Sequence, residues 1–445
     1  MPNAYDITWG LLLGIGAPAW LLAPKLRGKV LKAFRERMGP QGVKRDMSRP
    51  AVMIHAVSLG EINATRAMVE QLGRGRPDLQ FVITTTTDTG FARGRELYGN
   101  DPNVALVRYP LDFTRAIERL FTSLRPDVVV LMELEVWPNF VYRCERRGVP
   151  VFLVNGRLTP SSFASYRRGG PVVRRMFRRL AVVCAQDPAY ADRFIALGAP
   201  ADRVRVTGTM KFDTAQVADR IPGDDALAAA VGLRPGEPVW VCGSTGPGEE
   251  GIVLRAYRSL LERHPRLRLV IVPRHPERFD EVASLIQSQG FDLIRRSKSP
   301  EGAPSAIRNP QSAIPPVILG DTMGELRKFY SLATIAFVGR TLVDLGPRQH
   351  GSDMIEPAAL AKPVIVGPWT HNFAEPMNRF READAMRVVA SERELTDAAS
   401  ALLADPANAA EMGRRAQDVV RREQGATARH VELILRYLPP ASNHT

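Results

Sequence analysis

Short apolar runs alternate with stretches of helical spacing along this chain, and after residue 238 the alternation starts again. AVMIHAV (Ala51 to Val57), FVITTTT (Phe81 to Thr87), VALVRYP, DVVVLME (Asp127 to Glu133), VPVFLVN (Val149 to Asn155), AVVCAQ and VRVTG form the first series. VWVCGST (Val239 to Thr245), LRLVIVP (Leu267 to Pro273), FDLIRR, PPVILGD (Pro315 to Asp321), TIAFVG (Thr334 to Gly339) and KPVIVGP (Lys362 to Pro368) form the second. Runs that lack a polar face belong to parallel strands buried on both sides, joined by crossover helices. Two such series in 445 residues predict an α/β protein with two Rossmann-like domains facing a cleft. Ligands of these sheets bind beyond the carboxyl ends of the strands, so the loops there are where chemistry is expected.

The expected bounds are a membrane anchor at 1–24, a first domain at 25–214 and a second at 215–445, with a helix near Ala426 to Tyr437 packing back on the first. The anchor rests on ITWGLLLGIGAPAWLLAP (Ile7 to Pro24), an uncharged stretch that as a helix reaches about 27 Å, barely a span. Asp6 precedes it and Lys25, Arg27, Lys29, Lys32, Arg35 and Arg37 follow, the reverse of a signal peptide and the order that keeps the body cytoplasmic. The net charge of +13 favours an anionic partner. SYRRGGPVVRRMFRRL (Ser165 to Leu180) sets arginines among Val172, Met176, Phe177 and Leu180, either a face for acidic lipid or a solvated helix covering its own core. No basic and aromatic module points to nucleic acid. Three scattered cysteines and seven scattered histidines provide neither a disulfide framework nor a metal-ligand spacing, so no metal and no cofactor is expected.

Candidate chemistry clusters at the predicted strand ends. Glu61, in HAVSLGE, is either a general base for a hydroxyl acceptor or an acid capping the following helix. Glu133 and Glu135, beside Trp137, need work or a cation, and Arg157 in the next loop either pairs with them or grips a substrate anion. Gly243-Ser244-Thr245-Gly246-Pro247-Gly248 before a helix suits a phosphate or merely connects elements. Arg274 and His275 end a buried strand on a loop stiffened by prolines. Glu356 opens a predicted helix, where it either binds ribose hydroxyls or complements the helix dipole.

Taken together, HAVSLGE, ELEVWPN, NGRLTPSSFASYRR, TGTMKFD, GSTGPGEE, PRHPERF, GDTMGEL, FVGRTL and IEPAALAKPVIVGP resemble the 3-deoxy-D-manno-octulosonic acid (Kdo) transferase family of lipopolysaccharide synthesis along nearly the whole chain. The resemblance implies a GT-B glycosyltransferase. It further implies inverting, metal-independent transfer of Kdo from CMP-Kdo to a lipid A precursor, lipid IVA, at the cytoplasmic face of the inner membrane, beside anionic lipid. By matching segment, Glu61 resembles the general base, with Glu133 or Glu135 orienting the acceptor side, together with Arg157 and Trp137. Lys211, Ser244, Thr245, Arg274 and His275 resemble the donor cradle, Met323 and Gly324 the cytosine wall, and Glu356 the ribose acid. The chain departs from the family pattern at Ser352, Asp353 and Arg340. Those departures leave room for another nucleotide sugar, and a non-catalytic lipid-binding relative is the third alternative.

Overall fold

The computed structural model describes residues 5–7, 24–39, 43, 45–299, 314–346, 349 and 351–440. Residues 1–214 with 424–445 form one compact unit and 215–423 the other. The final segment thus belongs to the first unit, where the sequence division at 215–445 had put it with the second.

In the first unit, seven parallel strands run β1 (Ala51–His55), β2 (Gln80–Thr85), β3 (Val104–Arg108), β4 (Val128–Met132), β5 (Val151–Gly156), β6 (Val182–Ala185) and β7 (Val204–Val206), in spatial order β3-β2-β1-β4-β5-β6-β7. Every residue of β1, β2, β4 and β5 is buried, whereas the edge strands β3 and β7 are only partly covered. The uninterrupted apolar runs follow from this, since a central strand with helices on both faces has no solvent side. Helices Leu59–Gly75 and Ala426–Leu435 cover one face, with Ile62, Met68, Leu72, Val431 and Ile434 packed over β1 and β4. Helices Thr114–Leu124, Pro138–Arg146 and Gly170–Arg178 cover the other.

The second unit repeats the plan with β8 (Val239–Thr245), β9 (Arg268–Pro273), β10 (Leu293–Arg295), β11 (Val317–Leu319), β12 (Ile335–Val338), β13 (Val364–Val366) and β14 (Met386–Val388). Its parallel order is β10-β11-β9-β8-β12-β13-β14, so β11 inserts between β9 and β10. The chain reverses its direction of sheet-building between β1 and β4 in one unit and between β8 and β12 in the other. Each switch point leaves a crevice at the carboxyl ends of the strands of its own sheet.

Two expectations about the membrane meet the structure differently. The anchor falls on residues 1–24, nearly all of which lie outside the described residues; Asp6 is described and is buried, its carboxylate accepting from the Thr114 amide at 2.9 Å. Among the described residues no helix is long and apolar enough to cross a membrane. In the arginine-rich stretch, Met176, Phe177 and Leu180 are buried in the first unit's core and cannot serve as lipid anchors; Val172 is exposed. Helical spacing brought these residues inward because the helix needs an apolar stripe to pack.

Candidate active site

At the first switch point β1 leads into Glu61 and β4 into Glu133 and Glu135. Ser58 caps the helix Leu59–Gly75 by accepting the Glu61 amide at 3.2 Å, and the Glu61 carboxylate returns the contact, accepting N–H from Val57 at 3.0 Å and from Ser58 at 3.2 Å. This is a capping box, and it aims the carboxylate back over the end of β1. Glu61 therefore does cap its helix, yet a carboxylate has about four acceptor positions and two remain for a substrate proton.

Glu133 stands in the left-handed region, φ 55°, with its amide donating to the Val154 carbonyl at 2.9 Å. Burial raises its pKa, the Glu61 charge raises it further, and Lys211 and Arg157 oppose the rise. Glu135 is raised by burial and by Glu61, while the Trp137 indole N–H, 3.1 Å from its Oε2, and Arg37 stabilise the anion. Three carboxylates thus share one strand-end cluster, and their mutual repulsion favours a proton on at least one of them. Among the described residues no ion pair joins Arg157 to Glu133, so its influence acts through space.

His55, at the end of β1, approaches Glu135 Oε2 to 3.9 Å. The contact is not an ion pair, because burial pushes the imidazole down to about 3 and keeps it neutral. Its Nδ1 lies 3.1 Å from the Thr84 carbonyl, which assigns the ring proton there, and the ring stacks on Tyr109 at 3.7 Å. His55 and Arg37 were missed as neighbours of the acids. His55 looked like one more residue of a buried strand, and Arg37 lies far away in sequence.

In the second unit Ser244 and Thr245 end β8, Arg274 and His275 follow β9, and Arg340 follows β12. A buried acid that sequence reasoning did not single out, Glu249, ties these loops together. Its carboxylate accepts N–H from Gly246 at 2.8 Å, Arg340 at 2.6 Å, and Thr341 and Leu342 both at 2.9 Å. Burial raises its pKa against these four bonds. The expected phosphate cradle of loop amides is consequently engaged by the chain's own carboxylate at Gly246. Gly339 cannot carry a side chain there, since a Cβ would lie 2.4 Å from Thr245 Cα.

Glu356 opens the short helix Ile355–Ala359, and its pKa is raised to about 7 by burial and by Asp353, with Arg327 and Arg274 opposing. The buried Tyr330 hydroxyl, which has no hydrogen-bond partner among the described residues, feels Glu356, Asp353 and Arg274, placing it with the same group. Met323 and Gly324 are exposed on the loop after β11. Lys211, expected among the donor residues, lies in the first unit and acts on Glu133. Among the described residues no cluster of His, Cys, Asp or Glu could hold a metal ion.

Residues 32–214 match the family model of 3-deoxy-D-manno-octulosonic-acid transferase, or kdotransferase. A 3-deoxy-D-manno-octulosonic acid transferase of Haemophilus influenzae is 34% identical over 404 residues, covering 91% of this chain and 91% of its own. This chain belongs to the Kdo transferase family. The Bordetella pertussis enzyme of the same name is also 34% identical, over 94% of this chain and 95% of its own. As a member of the family the protein is a glycosyltransferase. Solved structures match the α/β GT-B-like fold: a glycosyltransferase of Rickettsia africae has a TM-score of 0.57 at 12% identity, over 87% of this chain and 98% of that one. UDP-GlcNAc 2-epimerase of Neisseria meningitidis scores 0.56 at 14% identity, over 87% of this chain and 100% of its own. Both show two parallel sheets of Rossmann type and, at that identity, nothing about substrate.

Proposed function

We propose that this enzyme transfers Kdo from CMP-Kdo to a hydroxyl of a lipid A precursor, lipid IVA, with inversion and without a metal, in lipopolysaccharide assembly at the cytoplasmic face of the inner membrane. The observation that carries the reading is the strand-end cluster of Glu61, Glu133 and Glu135 in a chain of this family. In the proposed reaction the acceptor oxygen attacks the anomeric carbon, the bond to the CMP phosphate breaks, and the acceptor proton passes to Glu61. The capping box holds the base in one orientation before substrate arrives, which reduces the entropy lost in reaching the reactive geometry. Glu133, biased toward its protonated form, relieves repulsion on the Glu61 anion and can donate a hydrogen bond to the acceptor. Arg274 offsets charge on the departing phosphate and Glu356 accepts from the ribose hydroxyls.

An anionic membrane fits the first unit. An open groove of about 680 Å³ is lined by Lys32, Arg35, Arg95 and Arg108 with Leu31, Phe91 and Glu36, the last pairing with Lys32 and Arg108, which leaves Arg35 and Arg95 as the cations that would meet a lipid phosphate.

Glu61→Gln is expected to lower kcat by roughly 10²-fold or more while CMP affinity, followed by calorimetry, stays put. Turnover near the wild-type rate removes Glu61 from the role of base. The second reading, a different nucleotide sugar, is favoured by Asp353 beside Glu356. Tighter binding of UDP than of CMP would select it.

A further inference from the structure

A Gly-rich turn before a helix ordinarily meets an anion with its amides. Here Glu249, fully buried, occupies the amides of Gly246, Arg340, Thr341 and Leu342 and brings a carboxylate to that point. An incoming anion therefore finds these four amides already engaged. Arg340 is held in the left-handed region, φ 58°, a conformation that costs energy in any residue with a Cβ and persists only where its surroundings impose it. The 2.6 Å bond from its amide to Glu249 imposes it. Arg340 Nη1 then donates to His275 Nε2 at 2.9 Å. His275 follows β9 and Arg340 follows β12, the two strands that flank β8, so this bond joins the loops on either side of the second switch point. At the end of β8 itself, the Thr245 hydroxyl is completely buried and lacks a hydrogen-bond partner among the described residues, a cost that a water or a bound group at this switch point would relieve.

We infer that Arg340, oriented by its bond to His275, is a side-chain clamp for the anionic group of the donor, a phosphate or carboxylate, beside the loop amides that Glu249 has taken. The clamp rests on the reading of the second unit as a nucleotide-sugar site. A guanidinium suits the role because its planar fork matches two oxygens of either group.

Arg340→Gly tests the clamp cleanly, because glycine adopts φ 58° freely and the variant should melt at or above the wild-type temperature. Calorimetry of the full chain with CMP and with cytidine, and KM for CMP-Kdo, are compared with wild type and with His275→Ala. Loss of a charge-assisted hydrogen bond predicts about ten-fold weaker CMP binding with cytidine unchanged, which assigns the phosphate. Unchanged CMP binding with a comparable rise in KM for CMP-Kdo assigns the sugar carboxylate instead. Changes within about two-fold in every assay, or cytidine weakened as much as CMP, overturn the clamp, since a hydrogen bond from a guanidinium to a bound anion is expected to be worth about ten-fold or more. A wild-type chain that binds UDP rather than CMP rejects the donor assignment alone, and the clamp is then judged on UDP against uridine.

Discussion

Glu249 shows how one buried side chain can tie together loops from distant parts of the chain. It is buried, and its four amide partners come from its own turn and from residues more than ninety positions away in sequence. Glu249→Ala would leave four N–H groups unsatisfied in the interior, at a cost on the order of 3 kcal/mol or more, measured by urea unfolding. A loss under about 1 kcal/mol would mean that water or a rearranged loop replaces the carboxylate easily. Glu356 supplies a pH dependence. Its folded pKa, raised from 4.5 to about 7, lets the native state keep a proton that the unfolded chain releases, so stability falls as pH rises through that window. The slope cannot exceed one proton, about 1.4 kcal/mol per pH unit, and Glu356→Gln should flatten it in unfolding experiments between pH 4.5 and 7. As a ribose acceptor the ionised form is the useful one, so CMP affinity should rise as pH passes about 7. Asp353→Asn should move that midpoint lower by removing the neighbouring charge; a midpoint unmoved in a calorimetric pH series would separate Asp353 from Glu356. Glu61 was legible as a candidate because it follows a strand, and Glu356 because it opens a predicted helix. Glu249 was not, because nothing near GPGEE announces that residues 340–342 will supply its donors.

At the scale of elements, the helix Ala426–Leu435 is the most instructive. Asp213 caps it across the chain, its carboxylate accepting N–H from Gly425 at 2.7 Å and from Thr427 at 2.5 Å. Thr207 Oγ1 lies 2.8 Å from His430 Nε2, and the Thr207 carbonyl accepts from Arg429 at 2.9 Å. Asp213→Ala should cost about 1–2 kcal/mol, as loss of a helix cap does, with hydrogen exchange rising first in 424–438. Exchange that rises uniformly along the chain would show that the helix does not release by itself. The sequence suggested that this helix returns to the first unit, while the linear division still counted it with the second. A contiguous boundary cannot represent a chain that crosses to another unit and back. For the arginine-rich stretch the sequence left both faces open, because spacing alone does not say whether Met176 and Phe177 face core or solvent, and the structure buries them.

For the whole molecule, two units with separate cores imply that a nucleotide bound by one should stabilise that one most. Saturating CMP is expected to slow amide exchange chiefly within 215–423, and equal protection in 51–206 would contradict the assignment of donor chemistry to the second unit. By itself the sequence determined the two-sheet α/β class and the family, and it marked the strand ends where the candidate residues lie. Those follow from local spacing and from runs of residue types that a buried parallel strand requires. Only the tertiary structure decided that β11 enters between β9 and β10, that His55 and Arg37 attend Glu135, and that Glu249 rather than a ligand fills the amides beside the Gly-rich turn. Such contacts join positions far apart in the chain, and their partners are chosen by packing, which leaves no periodic trace in the order of residues.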